Sequence, residues 1–111
     1  MGLSTHILDT NRGRPAEGIA ITLEQQDGER WQLLGQARTD AEGRARTLLG
    51  ERALERSTYR LRFETLPYFE AQGVQTLYPF VEISFTVHDA ESHHHIPLLL
   101  SANGYSTYRG S

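Results

Sequence analysis

The feature that most constrains the fold is a strict alternation of apolar and polar residues in several short runs. In the clearest run, four apolar residues from Val81 to Val87 alternate with three polar ones. A period of two places alternate side chains on opposite faces of a strand, so such a run predicts a strand with one buried face. Similar runs recur between turn residues along the whole chain, which is typical of an all-β protein.

The pattern predicts about eight strands and one short helix. The predicted strands cover residues 3–8, 19–23, 31–34, 45–49, 59–63, 81–87, 94–100 and 105–111. The helix is predicted over Leu66 to Gly73, because Pro67 suits the first helical position and Gly73 can end the helix. Glu51 to Ser57 is predicted to be a loop. These elements indicate an antiparallel two-sheet β-sandwich, with a small barrel as the alternative.

Size and composition limit the classes of function. The 111 residues fit a single domain over 1–111, and the net charge of −3 disfavours a nucleic-acid binder. The chain has no cysteine, which excludes disulfides, thiolate nucleophiles and cysteine-ligated zinc. The chain has no lysine, so its permanently charged cations are all arginine, which suits a planar anionic ligand. With neither an evident signal peptide nor a long apolar run, we expect a cytoplasmic protein that does not bind membranes.

Histidine suits acid–base chemistry near neutral pH, and the chain contains five. His6 lies within a predicted central strand, where a structural role is the ordinary interpretation. His93 and His95 share one face of a strand, with His94 between them on the other. Two such histidines can bind zinc, but no third ligand has a matching spacing. An exposed histidine tract at the start of a strand is therefore the simpler interpretation.

Two further features have both a simple and a functional interpretation. Arg44 follows a turn, and an arginine there is either a solvated surface residue or a clamp for an anion. The segment from Tyr105 to Ser111 is rich in hydroxyls and aromatic rings, and it is either a frayed tail or part of a site. Taken alone, these residues predict a small β domain in which a His/Arg site is one hypothesis.

Four motifs in order resemble those of the 5-hydroxyisourate hydrolases, the enzyme branch of the transthyretin-like family. The similar segments are Ser4–Thr10 with Gly13–Ala16, Thr39–Arg44, His95–Ser101, and Tyr105–Ser111, which ends in Tyr-Arg-Gly-Ser. The resemblance spans residues 3–111. It departs from the family pattern at Glu42, where the family usually has Asp, at His94, where it often has Tyr, and at Ala102-Asn103, where Pro-Tyr is more usual.

The resemblance implies a transthyretin-like sandwich without cofactor or metal, assembled as a homotetramer with active sites at the subunit interface. The implied reaction belongs to purine degradation: it hydrolyses 5-hydroxyisourate, the product of urate oxidation, to 2-oxo-4-hydroxy-4-carboxy-5-ureidoimidazoline. Among the residues of this chain, His6, Arg44, His95 and Ser111 match catalytic positions. Tyr108 and Ser111 match tail positions that line the substrate pocket, where His6 and Arg44 also bind the substrate.

A mechanism consistent with these residues assigns Arg44 to a substrate oxygen, where it stabilises developing negative charge. One of His6 and His95 is the general base for water, and the other orients the water or protonates the leaving nitrogen. The sequence leaves that choice open. The alternative function is a non-catalytic small-ligand binding protein of the transthyretin type, which would need neither this His/Arg set nor the Tyr-Arg-Gly-Ser ending.

Overall fold

Two packed β-sheets form the protein in a computed structural model, which describes residues 2–111. The first sheet contains β1 (Leu3–Asp9), β2 (Arg14–Pro15), β5 (Arg44–Ala45), β8 (His94–Ser101) and β9 (Gly104–Thr107). The second sheet contains β3 (Ala20–Asp27), β4 (Arg30–Arg38), β6 (Ser57–Phe63) and β7 (Val81–Val87), and the helix α1 (Thr65–Ala71) lies between β6 and β7 in sequence. The predicted sandwich is therefore confirmed, and the barrel alternative is not.

The core lies between the sheets and is built from alternate residues of the strands. On β6, Tyr59, Leu61 and Phe63 are almost completely buried. On β1, Leu3, Thr5 and Ile7 are buried, while Ser4 and His6 between them are only partly buried. Burying one such large apolar side chain contributes about 1.5–3 kcal/mol, so these positions fix which face of each strand points inward. The other face of β1 is thereby left for polar residues.

The central strand of the first sheet is β1, as expected for the strand that carries His6. On one side it pairs with β8 in parallel, with Ser4 opposite His95. On the other side it pairs with β5 in antiparallel orientation, with His6 opposite Arg44. The remaining ladders among the described residues are antiparallel. Alternation in the sequence reveals which residues share a face but not which strands pair or in which direction.

The predicted strand over 45–49 is wrong beyond its start, because β5 ends at Ala45. Leu48 and Leu49 are nevertheless buried, at 1% and 6% exposure, so a loop carries them into the core. The carbonyl oxygen of Leu48 lies where a side chain at Gly35 would begin, 2.0 Å from an ideal Cβ. Apolar residues in this segment thus indicated burial correctly and strand structure incorrectly.

Other element boundaries also differ from the predicted ones. The helix begins at Thr65, so Pro67 is not its first residue, whereas Gly73 follows the C-cap with φ of 70°, as a helix-ending glycine should. The last strand ends at Thr107 and not at Ser111. Arg14 and Pro15, where no strand was predicted, form the two-residue β2. Within residues 2–111, no helix has the length and apolar character needed to cross a membrane.

Candidate active site

The structure brings His6, Arg44 and His95 together on the outer face of the first sheet. His6 and Arg44 are directly opposite each other in the β1–β5 pair. His95 is opposite Ser4, which precedes His6 by two residues and therefore shares its face. All three predicted residues are partly buried. The register of three neighbouring strands thus assembles a cation and two imidazoles from distant parts of the chain.

Ser4 connects His95 to a second histidine. Its Oγ lies 2.7 Å from Nδ1 of His95 and 2.8 Å from Nε2 of His93. Both rings therefore contact one hydroxyl, in agreement with the prediction that His93 and His95 share a face. We had not predicted Ser4 as a site residue. Its only signal in the sequence is the i, i+2 spacing to His6, which has meaning only once the partner strand of β1 is known.

The C-terminal segment reaches the same ring. The backbone N–H of Gly110 donates a hydrogen bond of 2.8 Å to the carbonyl of His95, and the two residues form an isolated antiparallel bridge. An ideal Cβ built on Gly110 would lie 2.6 Å from Cδ2 of His95, which no side chain tolerates. The imidazole therefore packs directly on the Gly110 backbone, and glycine is required there by this close approach rather than by its φ.

The electrostatic environment of His95 disfavours its charged form. Burial of the imidazole is the largest cause, and the positive charge of Arg44 together with His6 and His93 acts in the same direction. A hydrogen bond with the Ser4 backbone opposes them and is the smallest of the causes. These effects lower the pKa of His95 below its usual 6.5. The ring is therefore neutral at pH 7 and can accept a proton.

Tyr108 and Ser111, the other predicted site residues, are not joined to this cluster within the single chain. Tyr108 is 56% exposed and Ser111 is exposed beside Gly110. Neither side chain has a hydrogen-bond partner within the described part of the chain. The segment is held instead by Gly110 and by Arg109, whose Nη2 donates to Ser92 Oγ at 3.1 Å.

A metal site at His93 and His95 would lack a third ligand among the described residues. Among residues 2–111, no group of three or more His, Cys, Asp or Glu side chains is arranged to hold a metal ion. The two imidazoles instead share the Ser4 hydroxyl. The candidate site is also separate from a concavity of about 610 Å³ that Arg12, Arg38 and Tyr68 help to line. His6, Arg44 and His95 lie on the outer sheet face and do not line this concavity.

Comparisons with known proteins agree with each other. A model described as the HIUase/Transthyretin family matches residues 3–110. A 5-hydroxyisourate hydrolase from Caulobacter vibrioides is 46% identical over 114 residues, which cover 99% of this chain and 98% of the relative. The structure of the Klebsiella pneumoniae 5-hydroxyisourate hydrolase is 35% identical, covers 100% of both chains and has a TM-score of 0.86.

The sandwich is also similar to a protein of another kind. Sea bream transthyretin, solved in complex with thyroxine, is 29% identical and has a TM-score of 0.92, with 99% of this chain and 95% of that chain covered. The backbone therefore does not separate the two functional classes, and the side chains on the outer sheet face must do so.

The close approach at Gly110 predicts that Gly110→Ala displaces the His95 ring, because the added methyl group overlaps Cδ2. We expect the imidazole signals of His95 to shift in a ¹H–¹⁵N NMR spectrum of this variant. Gly104→Ala is the matched control, since its Cβ would meet only Ser101 Oγ at 3.7 Å. Equal spectral changes in both variants would contradict the contact.

The environment of His95 predicts a titration midpoint below 6.5, because burial and nearby positive charge favour the neutral ring. Replacing Arg44 by Gln removes one charge that repels the imidazolium, so the midpoint should rise towards 6.5. The matched control is Arg46→Gln, which removes an exposed arginine two residues away. NMR titration of His95 measures both effects, and a midpoint at or above 6.5 in the unmodified protein would contradict the prediction.

Proposed function

The chain belongs to the HIUase/Transthyretin family, and we propose that it hydrolyses 5-hydroxyisourate in urate degradation with His6, Arg44 and His95 as its catalytic residues. One observation carries the assignment: His6 is paired with Arg44, and His95 lies beside Ser4 on the same outer sheet face. The named relatives that match nearly the full chain are enzymes of this activity, and this chain is an enzyme as well.

The reaction requires an activated water, a polarised carbonyl and a protonated leaving nitrogen. Water adds to a ring carbonyl carbon, the carbon–nitrogen bond breaks, and the proton removed from water is balanced by the proton gained at nitrogen. The product would be 2-oxo-4-hydroxy-4-carboxy-5-ureidoimidazoline. Arg44 holds the carbonyl oxygen, because a planar guanidinium can donate two hydrogen bonds to an oxygen that gains negative charge.

We assign the general base to His95. The lowered pKa keeps its imidazole neutral near pH 7, so it can take a proton from water. To His6, opposite Arg44, we assign the other task, which is to orient the water or to protonate the leaving nitrogen. Ser111 and Tyr108 bind the substrate through their hydroxyls, and Ser111 assists the reaction from its position beside Gly110, which contacts the base.

A second part of the proposal concerns assembly. The site lies on an open sheet face, and an exposed face cannot exclude water from a reacting ring. We propose that the chain forms a homotetramer in which a neighbouring copy completes each site as a groove. Sedimentation that shows a mass of one chain only, at the concentration of the activity assay, would contradict this. A cytoplasmic location remains a prediction, which cell fractionation tests.

A purely binding role, as in the thyroxine complex of sea bream transthyretin, requires the same sandwich but no acid–base groups. The cluster of two histidines and an arginine, with one histidine neutral at pH 7, supports catalysis instead. Turnover separates the two functions, because a binding protein slows or leaves unchanged the decay of a ligand that it holds.

The decisive assay generates 5-hydroxyisourate from urate with urate oxidase and follows its decay with and without the protein. We expect acceleration above the spontaneous rate. His6→Ala and His95→Ala should each lower kcat by about 10²- to 10⁴-fold, the usual contribution of general acid–base catalysis. Arg44→Ala should lower it by about 10²- to 10³-fold, as loss of a charge-stabilising donor does.

Two substitutions serve as matched controls. Arg46→Ala and His88→Ala each remove an exposed residue of the same type, so both variants should retain the unmodified rate. Absence of acceleration by the unmodified protein would contradict the function. Near-normal turnover by His6→Ala or Arg44→Ala would contradict the assigned residues.

A further inference from the structure

A short chain of hydrogen bonds joins His95 to His93 through Ser4, and the mechanism proposed above assigns it no role. Ser4 Oγ is 2.7 Å from Nδ1 of His95 and 2.8 Å from Nε2 of His93. Because Nδ1 faces Ser4, Nε2 is the nitrogen of His95 that remains for water or substrate. His95 is partly buried at one end of the chain, and His93 is exposed at the other.

We propose that Ser4 and His93 form a proton relay that positions His95 and moves its proton to the protein surface. The inference rests on the proposed role of His95 as general base. Ser4 and His93 touch no substrate in this scheme, so they act as positioning residues. They determine which nitrogen of His95 carries a proton at each stage of the reaction.

The relay has two proton arrangements. In the first, Nδ1–H of His95 donates to Ser4 Oγ, and the Ser4 hydroxyl donates to Nε2 of His93, which leaves Nε2 of His95 as a base. When this Nε2 takes a proton from the attacking water, the Nδ1 proton moves to Ser4 and the Ser4 proton moves to Nε2 of His93. Every N–H or O–H bond that breaks is replaced by another, and the positive charge appears on His93.

The second arrangement reverses the direction of donation. Nε2–H of His93 then donates to Ser4, and the Ser4 hydroxyl donates to Nδ1 of His95, whose Nε2 now carries a proton. In the alternative in which His6 only orients the water, this proton returns to the leaving nitrogen, and the relay runs backwards to restore the first arrangement. A hydroxyl is suited to this task because it donates one hydrogen bond and accepts others, and it can rotate between partners.

The surroundings of His95 disfavour charge on its ring. Arg44 on β5 and His6 on β1 both act against a cation at His95, as does burial of its ring. The carboxylate of Glu42 is 4.0 Å from Nε of Arg44 and is engaged there. The backbone of Gly110 covers the ring edge at Cδ2 and offers no charge. His93, at the other end of the relay, is exposed to solvent.

The first test compares two variants at Ser4 with one control variant at a serine outside the site. Ser4→Ala removes the hydroxyl from an outer-face position and leaves the core intact. We expect kcat to fall by about 10- to 100-fold, a part of the 10²- to 10⁴-fold effect of acid–base catalysis, with little change in KM. Ser4→Thr retains a hydroxyl and should restore most of the rate. Ser84→Ala, at an exposed position of β7, should leave kcat unchanged.

A second test asks whether Ser4 and His93 act in series. His93→Ala should lower kcat in the unmodified protein but should have no further effect when Ser4 is already Ala, because the relay is then interrupted at its middle. Independent, multiplicative losses in the double variant would overturn the relay. So would an unmodified kcat in Ser4→Ala, or a loss in Ser4→Ala that Ser4→Thr fails to restore.

The third measurement needs no substrate and separates the relay from the proposed function. The ¹⁵N shifts of His95 report which ring nitrogen is protonated, and Ser4→Ala should change this tautomer ratio while Ser84→Ala should not. An unchanged ratio in Ser4→Ala would overturn the relay whatever the activity. If the unmodified protein fails to hydrolyse 5-hydroxyisourate but the ratio changes, the proposed function fails while the control of the His95 proton by Ser4 stands.

Discussion

The parallel pairing of β1 with β8 brings His95 beside His6 and Arg44, which the β1–β5 pair holds opposite each other. It places Ser4 opposite His95, and hydrogen bonds from the N–H of His94 to Gly2 and from the N–H of Thr10 to Leu100 hold it at both ends. Because side chains alternate, a slip of one residue in β1 would turn His6 into the core and expose buried Thr5. The buried Leu3 and Ile7 oppose such a slip, so core packing fixes the geometry of the outer face.

The same register concentrates groups that repel each other when charged. Arg44, which is always cationic, faces two imidazoles across neighbouring strands, and a third imidazole follows through Ser4. For His95, burial of the ring and the charge of Arg44 both disfavour the imidazolium and lower its pKa. A planar anionic ligand would relieve the repulsion, which gives physical meaning to the all-arginine basic composition of the chain.

The sequence predicts features that depend on neighbouring residues better than features that depend on residues far apart in the chain. Alternation located β1, β6 and β7 well because burial of one strand face is a local pattern. It misjudged residues 46–49, where a loop fills the core, since burial and strand structure give the same apolar signal there. The parallel direction of β1 and β8 has no local signal at all.

The candidate site divides in the same way. His6, Arg44 and His95 were each unremarkable alone and were identified by their joint resemblance to one family. Ser4 was missed, although it lies in the first motif, because its contact with His95 exists only through strand pairing. The packing of His95 on Gly110 was equally hidden, since a glycine in a terminal segment reads as flexibility until the ring above it is seen.

The distance along the chain between the paired strands has a consequence for folding kinetics. Ser4 and His95 are separated by 91 positions. The pairing of β1 with β8 therefore closes a loop that contains most of the chain. Pairings of such high contact order form slowly, because the entropy of closing a long loop is lost before the contact stabilises it. A partly folded chain therefore retains individual strands but cannot align His6, Arg44 and His95. Completion of the β1–β8 ladder and appearance of the site are the same folding event.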